Sequence, residues 1–319
     1  MDVTSGSAQR TLMVKVCSME RESPTVVSIG LAAADRAEHL PAYEPGAHID
    51  IRLPNDIVRQ YSLCGDGSPK GWKIAVKAVP GGIGSGLIHR TFAPGTAFTA
   101  STPRNNFRLL PSRKYVFVAG GIGITPILPM MAAAARAGAS FELHYCIRDH
   151  AEELFVEARA AFSGATSTYV KRAGRRFDAH ATFRAARCET LVYCCGPASL
   201  MDAVGDAMAA WPEGSLHREW FAPQPQRTGA AHAFQLVCAR SGKTLEVPAG
   251  KSVLQVLGEA GIDVPRSCEM GVCATCEVRV VEGEVDHRDN ILSVQERAEG
   301  RTMFCCVSRA KGRRLVLDL

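Results

Sequence analysis

The stretch CEMGVCATC, residues 268–276, decides the fold of the C-terminal part of the chain. Its three cysteines are separated by four and then two residues, and a further pair, Cys305 and Cys306, follows far along the sequence. Three thiolates in one short loop can surround one side of a two-iron cluster, and a distant fourth can close the cage. Structural zinc sites more often present two short cysteine pairs. The spacing therefore predicts a [2Fe–2S] cluster held by Cys268, Cys273, Cys276 and one cysteine of the later pair.

The surroundings of these cysteines match the plant-type ferredoxin pattern. Only one of Cys305 and Cys306 is expected to reach the metal, because adjacent side chains point in different directions. Gly271 fits a tight turn whose backbone N–H groups approach inorganic sulfur. His287 suggests a Rieske ligand, but a Rieske centre needs two histidines beside two cysteines, and four cysteines already suffice here. We therefore expect His287 to have a structural role.

Length and composition leave room for more than a cluster module. The 319 residues allow two or three domains, and 46% hydrophobic with 22% charged residues is typical of a globular protein. No apolar run reaches membrane-spanning length and the start MDVTSGSAQR lacks a signal-peptide core, so we expect a soluble cytoplasmic protein without a membrane partner. The 12 cysteines then do not indicate a disulfide framework. A net charge of +5 without a basic, aromatic-interleaved stripe argues against nucleic acid as a partner.

The segment KYVFVAGGIGITPILPMMAAAARAG, residues 114–138, predicts a strand, a glycine turn and a helix. Gly120, Gly121 and Gly123 allow the backbone to approach a ligand closely. The helix, begun near Thr125 and Pro126, offers free N–H groups to a pyrophosphate. A purely structural turn would explain one or two of the glycines, so the interpretation depends on the context of the motif.

Alternating strands and helices follow this segment. FELHYCIRD and STYVKRA are typical of strands, EELFVEARAAF is typical of a helix, and TLVYCCGPASLMDAVGDAMAAW predicts a strand, a turn and a helix. This alternation predicts a parallel sheet, which binds ligands at the carboxyl ends of its strands. GGIGITP and CCGP both fall at such ends.

The first hundred residues predict an antiparallel barrel, because short alternating runs are separated by Gly and Pro. RQYS, residues 59–62, places a permanent cation, an aromatic ring and a hydroxyl on one strand. GGIGS, residues 81–85, offers a flexible loop of N–H donors for a phosphate. Taken alone, an arginine at a strand end is usually solvated and a tyrosine usually packs against the core.

These three parts, in this order, resemble the phthalate dioxygenase reductase family, whose relatives include the vanillate O-demethylase reductases. The resemblance covers nearly the whole chain and is carried by RQYSL, GGIGS, GGIGITP, YCCGPASLM, EWF, CEMGVCATC, EVDHRDNIL and CCVSRAKGRRLVLDL. It implies a flavin-binding antiparallel β-barrel, a Rossmann-like parallel α/β nucleotide domain and a β-grasp ferredoxin domain. Composition places these domains at residues 1–111, 112–221 and 233–319, with a Pro-, Gln- and Gly-containing linker at 222–232.

The resemblance also implies roles for single residues. Arg59 is expected to pair with the phosphate of FMN, Tyr61 to pack against the flavin ring, and Ser62 to hydrogen-bond near its reactive nitrogen. Further candidates for contact with the flavin or the nucleotide are Val76, Lys77, Gly84, Ser85, Gly120, Gly121, Gly123, Thr125, Pro126, Arg148, Asp149, Cys195, Gly196, Pro197 and Phe221. The candidates for catalysis are Ser62, Cys195, Glu219 and Phe221. A ligand cysteine directly before Val-Ser-Arg favours Cys306 as the fourth cluster ligand.

Two departures from the family pattern concern the ligands. The phosphate loop of the family carries Arg-Gly-Gly-Ser, whereas Gly82-Ile83-Gly84-Ser85 here lacks that arginine, and FAD remains an alternative to FMN. Similar chains use NADH, yet Lys171 and Arg172 end the strand where the adenosine ribose should lie, and cations there attract a 2′-phosphate. The alternative is a solvated basic loop, with Asp149 serving the ribose. We expect NADH to be preferred and NADPH to be used measurably.

The implied activity follows from electron counting. A nicotinamide delivers two electrons as a hydride, a [2Fe–2S] cluster accepts one electron at a time, and FMN converts between them. The family's partner is a Rieske-type oxygenase, which a monomeric reductase would meet transiently, with Glu269, Glu277 and Arg266 as candidate surface charges. A monooxygenase hydroxylase is an alternative partner. The alternative class of function is a zinc-stabilised binding module with a vestigial nucleotide fold.

Overall fold

The computed structural model describes residues 10–35, 37–54, 57–65, 71–185, 189–222, 231–292 and 294–319. These residues form two units, Arg10–Glu219 and Trp220–Leu319. The linker expected at residues 222–232 lies outside the described residues except at its ends, and the domain limit expected near residue 111 stays a prediction. No helix in the described ranges is both long and apolar enough to cross a bilayer.

The first unit begins with the antiparallel barrel that the alternating runs predict. Its strands are β1 (Thr11–Ser23), β2 (Val26–Ala33), β3 (His48–Arg52), β4 (Val58–Ser62), β5 (Trp72–Lys77) and β6 (Ala97–Ser101). They lie in the order β4–β3–β6–β1–β2–β5, and a bridge between Leu63 and Ile74 joins the two ends of the sheet. Alternate apolar side chains fill the interior of the barrel, including the fully buried Ile29 and Ile49.

A helix stands where the sequence predicts a flexible loop. Helix α1 (Ile83–Thr91) begins within the glycine-rich segment that follows β5. Glycine disfavours helices, so the local sequence gives little sign of it. The side chain of Ile88 is fully buried in the barrel core, and this tertiary packing compensates for the low propensity.

The second half of the same unit is the expected parallel sheet. Its strands are β7 (Lys114–Gly120), β8 (Ser140–Ile147), β9 (Thr166–Val170), β10 (Thr190–Cys195) and β11 (Leu216–Glu219), in the order β11–β10–β7–β8–β9. The helices are α2 (Ile124–Arg136), α3 (Val156–Ala160), α4 (Ala179–Thr182) and α5 (Ala198–Ala207). All paired strands in this sheet run parallel, so their carboxyl ends share one edge.

The helix predicted over EELFVEARAAF is shorter than the pattern suggests. Only Val156–Ala160 is α-helical, and Phe155 before it adopts a left-handed conformation with φ +51°. A left-handed residue cannot be part of a right-handed α-helix, so the helix cannot begin before Val156.

One apolar core joins the barrel to the parallel sheet. Val26, Cys64 and Ala75 of the barrel lie in the same buried cluster as Phe117 and Met131 of the α/β half. Helix α2 is buried along most of its length because it packs against β7 and β8. The two halves therefore form one continuous unit.

The second unit has the β-grasp arrangement implied by the resemblance. Its elements are β12 (Phe234–Cys238), β13 (Thr244–Val247), α6 (Val253–Glu259), β14 (Glu277–Glu282), β15 (Val285–Asp286), α7 (Val294–Glu299), β16 (Thr302–Phe304), β17 (Arg309–Ala310) and β18 (Arg314–Leu317). The main sheet has the order β13–β12–β18–β14–β16, with β12 and β18 parallel at its centre. Ser252 and Gln255 form a reciprocal capping box at the start of α6.

Candidate functional site

Two glycine-containing turns meet at the carboxyl edge of the parallel sheet. A Cβ atom added to Gly120 would lie 2.4 Å from Cδ of Pro197, and one added to Gly123 would lie 2.2 Å from the carbonyl oxygen of Cys195. These glycines are therefore required by the packing of one turn on the other. Gly121 has φ +53°, a backbone conformation that glycine adopts without strain. The structure brings GGIG and CCGP together as the sequence predicts.

Helix α2 begins directly behind this pair of turns. Its first N–H groups have no acceptor within the helix, and no acidic side chain stands in its first turn. The hydroxyl of Thr125 donates to the carbonyl oxygen of Ile122 at 3.0 Å, and Pro126 is buried. This end of the helix fits the anionic pyrophosphate of a dinucleotide, whereas the Thr125 hydroxyl already has a partner within the turn.

Three of the residues proposed for catalysis lie near one another. Ser62 ends β4 of the barrel, and its Oγ donates to Oε2 of Glu219 at 3.4 Å. Glu219 ends β11 and is the register partner of Cys195, whose side chain is fully buried. Burial raises the pKa of Glu219 to about 8, although the hydrogen bond from Ser62 opposes this rise. A carboxyl group that is mostly protonated at neutral pH adds little negative charge beside the barrel strand.

On the barrel, the side chain of Arg59 lies beside the start of helix α1. A Cβ atom added to Gly84 would lie 2.7 Å from Cγ of Arg59, so the arginine side chain crosses the first turn of α1. Ser85 Oγ accepts from the N–H of Val79 at 3.2 Å, which orders the preceding turn. A helix start with a guanidinium beside it suits a phosphate. Tyr61 on the same strand is half-buried, and burial raises its pKa to about 12, so its phenol stays neutral.

The remaining flavin candidates are placed less favourably. The side chain of Val76 is fully buried in the barrel core, and its carbonyl oxygen is hydrogen-bonded by Nε2 of His89 at 3.0 Å. Lys77 is half-buried at the end of β5. Phe221 is 42% exposed and belongs to the second unit. Val76 can therefore present no side chain to a ligand at the barrel surface.

An ion pair occupies the edge where the adenosine ribose is expected. Arg172 Nη1 donates to Oδ2 of Asp149 at 2.9 Å, and Oδ1 of Asp149 accepts from the N–H of Ala151 at 3.1 Å. The hydrogen bonds from Ala151 and Arg172 lower the pKa of Asp149. Arg148 is largely exposed, with Nη1 3.9 Å from Glu152. Asp149 is thus engaged by a cation from the end of β9.

In the second unit the four predicted cluster cysteines meet in pairs. Cys268 contacts Cys273, and Cys276 contacts Cys306. The hydrogen bond between Cys268 and Cys273 lowers the pKa of Cys273 and raises the pKa of Cys268, so the two sulfur atoms share one proton. Within the described ranges, no three His, Cys, Asp or Glu side chains converge as they would around a single ion. Two contacting cysteine pairs could supply two sulfur ligands to each of two iron atoms.

The loop that carries three of these cysteines has an unusual backbone. Glu269, Gly271 and Ala274 all have positive φ values, of +53°, +71° and +58°. A Cβ atom on Gly271 would lie 2.7 Å from Cγ2 of Val307, so this glycine permits the loop to pack against the segment that follows Cys306. Residues without glycine's freedom hold such values only where surrounding contacts enforce them.

The neighbouring cysteines differ clearly in environment. Cys305 is fully buried in the apolar core of the second unit, and its backbone N–H donates to the carbonyl oxygen of Cys276 at 3.1 Å. Cys306 is partly exposed and contacts Cys276. The pair thus presents one side chain to the core and one to the predicted cluster.

A buried carboxylate behind the loop was not identified from the sequence. Asp289 is fully buried, and its Oδ1 accepts from the N–H groups of Ile291 and Leu292. His287 is almost fully buried with Nδ1 3.7 Å from Oδ2 of Asp289, and Arg297 donates to the Asp289 carbonyl oxygen. The signal that could have found Asp289 is its position in DHRDN, since aspartate often begins a turn by accepting from backbone N–H groups. Both ring nitrogens of His287 are buried without a hydrogen-bond partner in the described part of the chain, so the structural role expected for this residue stays a prediction.

Residues 236–311 match the family described as the 2Fe-2S iron-sulfur cluster binding domain. The phthalate 4,5-dioxygenase oxygenase reductase subunit of Pseudomonas putida is 39% identical over 288 residues, which cover 88% of each chain. This similarity therefore extends through both units.

Two solved structures are similar over almost the whole chain. The first is an intact type IV self-sufficient cytochrome P450 monooxygenase, with a TM-score of 0.89 and 38% identity. The alignment covers 97% of the present chain but only 41% of that longer protein. The second is a phthalate dioxygenase reductase, described as a modular structure for electron transfer from pyridine nucleotides to [2Fe-2S], with a TM-score of 0.71 and 36% identity. Here the alignment covers 97% of the present chain and 98% of the other.

Proposed function

Because the chain belongs to the phthalate dioxygenase reductase family of electron-transfer oxidoreductases, we propose that it carries electrons from a reduced pyridine nucleotide, through FMN and a [2Fe–2S] cluster, to a separate oxygenase. The observation that carries this proposal is the contact between barrel and sheet at Ser62 and Glu219. It joins the strand proposed to bind flavin to the edge proposed to bind nucleotide. A bound flavin accepts a hydride and releases electrons singly, which matches the capacity of the cluster.

The residues of the first unit are proposed to hold and orient the flavin and the nucleotide. Arg59 neutralises the flavin phosphate at the start of α1, where Gly84 leaves room for the arginine side chain. Tyr61 provides a neutral aromatic surface, and Ser62 offers a hydroxyl whose present acceptor is Glu219. Gly120, Gly121, Gly123 and the turn at Cys195, Gly196 and Pro197 form the nucleotide edge.

The cysteines of the second unit are proposed to ligate one iron atom per pair. Cys268 with Cys273, and Cys276 with Cys306, supply four sulfur ligands in two contacting pairs. The environment of Cys305 in the core supports Cys306 as the fourth ligand.

A Rieske-type oxygenase is the proposed electron acceptor. The named function of the Pseudomonas putida relative is that of a reductase subunit for a dioxygenase. Glu269, Glu277 and Arg266 are exposed around the cluster loop, where a transient partner could exchange electrons. These charges would set orientation and encounter rate more than affinity.

A cytochrome P450 is the second candidate acceptor. It is favoured by the similarity of almost the whole chain to 41% of an intact self-sufficient cytochrome P450 monooxygenase. A direct test mixes the reduced protein with a purified Rieske oxygenase and, separately, with a purified bacterial P450. Preferential turnover of the Rieske oxygenase supports the first proposal, and preferential turnover of the P450 supports the second.

The central activity has a simple test. Aerobically purified protein should be brown-yellow, contain iron, acid-labile sulfide and FMN, and lose colour when NADH is added under anaerobic conditions. Iron and acid-labile sulfide report the cluster, and the flavin released on denaturation reports FMN. Colourless protein that contains zinc and does not respond to NADH would support a zinc-stabilised binding module instead.

The preferred nucleotide is proposed to be NADH, with measurable use of NADPH. Asp149 is the residue proposed to bind the ribose hydroxyls, and its pairing with Arg172 moderates its repulsion of a 2′-phosphate. We predict that Arg172→Gln lowers kcat/KM for NADPH by about tenfold, while the value for NADH changes by less than about threefold. The exposed Arg136→Gln, on the distant end of α2, serves as a matched charge control. A variant that loses both activities equally would contradict the assignment.

A further inference from the structure

We propose that Tyr145 and Arg159 are positioning residues that hold the glycine turn of the nucleotide site and link it, through Phe155, to Glu22 of the barrel. The proposal rests on the proposed nucleotide-binding function and deepens it. It concerns residues that neither the sequence motifs nor the family resemblance singled out.

The first link joins Tyr145 to the turn itself. Tyr145 lies on β8 and is fully buried, and its hydroxyl donates to the carbonyl oxygen of Gly121 at 3.3 Å. Gly121 is the left-handed residue of the turn. Burial raises the pKa of Tyr145, so the phenol stays protonated and remains a donor. This hydrogen bond restrains the peptide plane between Gly121 and Ile122.

The second link fixes the orientation of the tyrosine ring. The guanidinium carbon of Arg159 lies 4.6 Å from the centre of the Tyr145 ring. The Arg159 side chain is only 6% exposed, and it donates to the carbonyl oxygen of Leu154 at 2.9 Å and to Oε1 of Glu153 at 2.5 Å. A buried cation is tolerated only when its donors are satisfied, so Arg159 ties the ring to the segment before α3.

The third link reaches the barrel. Phe155 is buried yet left-handed, a conformation that costs free energy for a bulky residue and needs a compensating contact. Its backbone N–H donates to Oε2 of Glu22 at 3.1 Å. Lys73 on β5 has Nζ 3.8 Å from Glu22 and 5.7 Å from the centre of the Phe155 ring. The carboxylate of β1 and the ammonium of β5 therefore anchor the strained residue.

These contacts form a continuous path within the first unit. It runs from Glu22 through Phe155 and Arg159 to Tyr145, and ends at Gly121. A spatial path alone does not demonstrate energetic coupling between its ends. Coupling requires that a change at Glu22 alter ligand binding at the turn, and that its effect depend on the tyrosine hydroxyl.

The first experiment uses the flavin- and cluster-loaded protein and titrates it with ADP-ribose in a calorimeter. ADP-ribose carries the pyrophosphate but no nicotinamide, so its dissociation constant reports the turn and not the redox step. Tyr145→Phe should raise this constant about three- to tenfold, because one hydrogen bond that orders the turn is lost. The KM for NADH should rise while kcat stays near the wild-type value.

Tyr115→Phe is the matched control. Its hydroxyl donates to the carbonyl oxygen of Leu110 at 2.9 Å, and Tyr115 lies at the start of β7, the opposite end from the turn. Both variants lose a buried tyrosine hydroxyl, so both should lower the melting temperature, but only Tyr145→Phe should weaken ADP-ribose binding. Equal ADP-ribose affinity in Tyr145→Phe and wild type would overturn the proposal. Failure of the wild type itself to bind ADP-ribose would instead contradict the proposed nucleotide function.

The second experiment tests the link to the barrel. Glu22→Gln keeps an acceptor for the Phe155 N–H but removes the charge and the ion pair with Lys73, and should raise the dissociation constant about twofold or more. In the double variant with Tyr145→Phe, the combined effect should be smaller than the product of the single effects, because both changes release the same restraint. Effects that multiply, or a Glu22→Gln protein with wild-type affinity, would overturn the link to the barrel.

Discussion

At the scale of single residues, a buried histidine in the barrel links stability to pH. His48 on β3 is 6% exposed, and its Nε2 has no hydrogen-bond partner in the described part of the chain. Burial and the nearby charge of Arg104 lower its pKa to about 4, and Asp50 opposes this shift. Arg104 Nη2 donates to Oδ1 of Asp50 at 2.6 Å, which keeps that carboxylate engaged. The folded protein thus holds His48 neutral.

We predict that His48 lowers the free energy of unfolding of the protein as the pH becomes acidic. Its folded-state pKa lies below the ordinary value of 6.5, so between pH 6.5 and about 4 the unfolded chain binds a proton that the folded chain does not. The free energy of unfolding is therefore unaffected by His48 above pH 6.5. It falls progressively as the pH drops from 6.5 to about 4, by on the order of 1–3 kcal/mol. His48→Gln should have a melting temperature that falls less between pH 7 and pH 5 than that of the wild type. His39→Gln, at an exposed histidine, should keep the wild-type slope; equal slopes in His48→Gln and wild type would disprove the assignment.

The adjacent cysteines provide a second prediction at this scale. Cys306→Ser should abolish the visible cluster spectrum and leave substantially less than two iron atoms per chain, because it removes one proposed ligand. Cys305→Ser should keep the cluster and lower the melting temperature, since it buries a hydroxyl in the apolar core. Iron analysis and absorbance of anaerobically purified protein decide between them. Retention of iron by Cys306→Ser with loss in Cys305→Ser would reverse the ligand assignment.

At the scale of elements, two glycines in the second unit differ in whether the structure has room for a side chain. Gly258 lies in helix α6, exposed, and a Cβ atom there would meet no other atom within 4 Å. Gly271 has φ +71° and no room for a Cβ atom beside Val307. The first glycine only weakens its helix, whereas the second shapes the cluster loop.

We predict that the same substitution separates these two elements. Gly258→Ala should increase the free energy of unfolding of the second unit by about 0.5–1 kcal/mol, because alanine favours a helix. Gly271→Ala should decrease it and should accelerate loss of cluster absorbance on dilution into chelator. Melting temperature and the rate of bleaching measure both effects. A neutral Gly271→Ala would show that the loop tolerates a shift of Val307.

At the scale of the whole molecule, the sequence predicted what depends on local pattern. Alternating runs indicated the barrel, and the strand–turn–helix segments indicated the parallel sheet. Cysteine spacing indicated a cluster-binding unit, and the family resemblance implied its β-grasp fold. The structure and the comparisons confirm all three. Helix α1 and the left-handed Phe155 were not foreseen, because distant contacts at Ile88 and Glu22 stabilise them against local preference. At the site, motifs located both turns, but the bond from Tyr145 to Gly121 carries no sequence signal.

The transfer of electrons out of the molecule should depend on salt. If Glu269 and Glu277 guide an oxygenase to the cluster loop, the rate of oxygenase reduction should fall several-fold between low salt and about 0.5 M, where charges are strongly screened. The double variant Glu269→Gln/Glu277→Gln should show a weaker salt dependence than the wild type. As a control, the reduction by NADH of a small soluble dye that accepts electrons from the flavin should change little in the variant. An unchanged oxygenase salt dependence would move the docking surface elsewhere.

One apolar cluster limits where such chains can be divided in a chimaera. It is formed by Val26, Cys64 and Ala75 of the barrel with Phe117 and Met131 of the parallel-sheet half. A fragment that ends at residue 111 would expose the apolar side chains that the barrel buries against the parallel sheet, and it should aggregate. The barrel and the parallel sheet should therefore be kept together in any chimaera. The C-terminal unit encloses its own apolar interior and could be grafted as a cassette. Natural recombination would therefore find its permissible breakpoint after residue 219 and not in the middle of the chain.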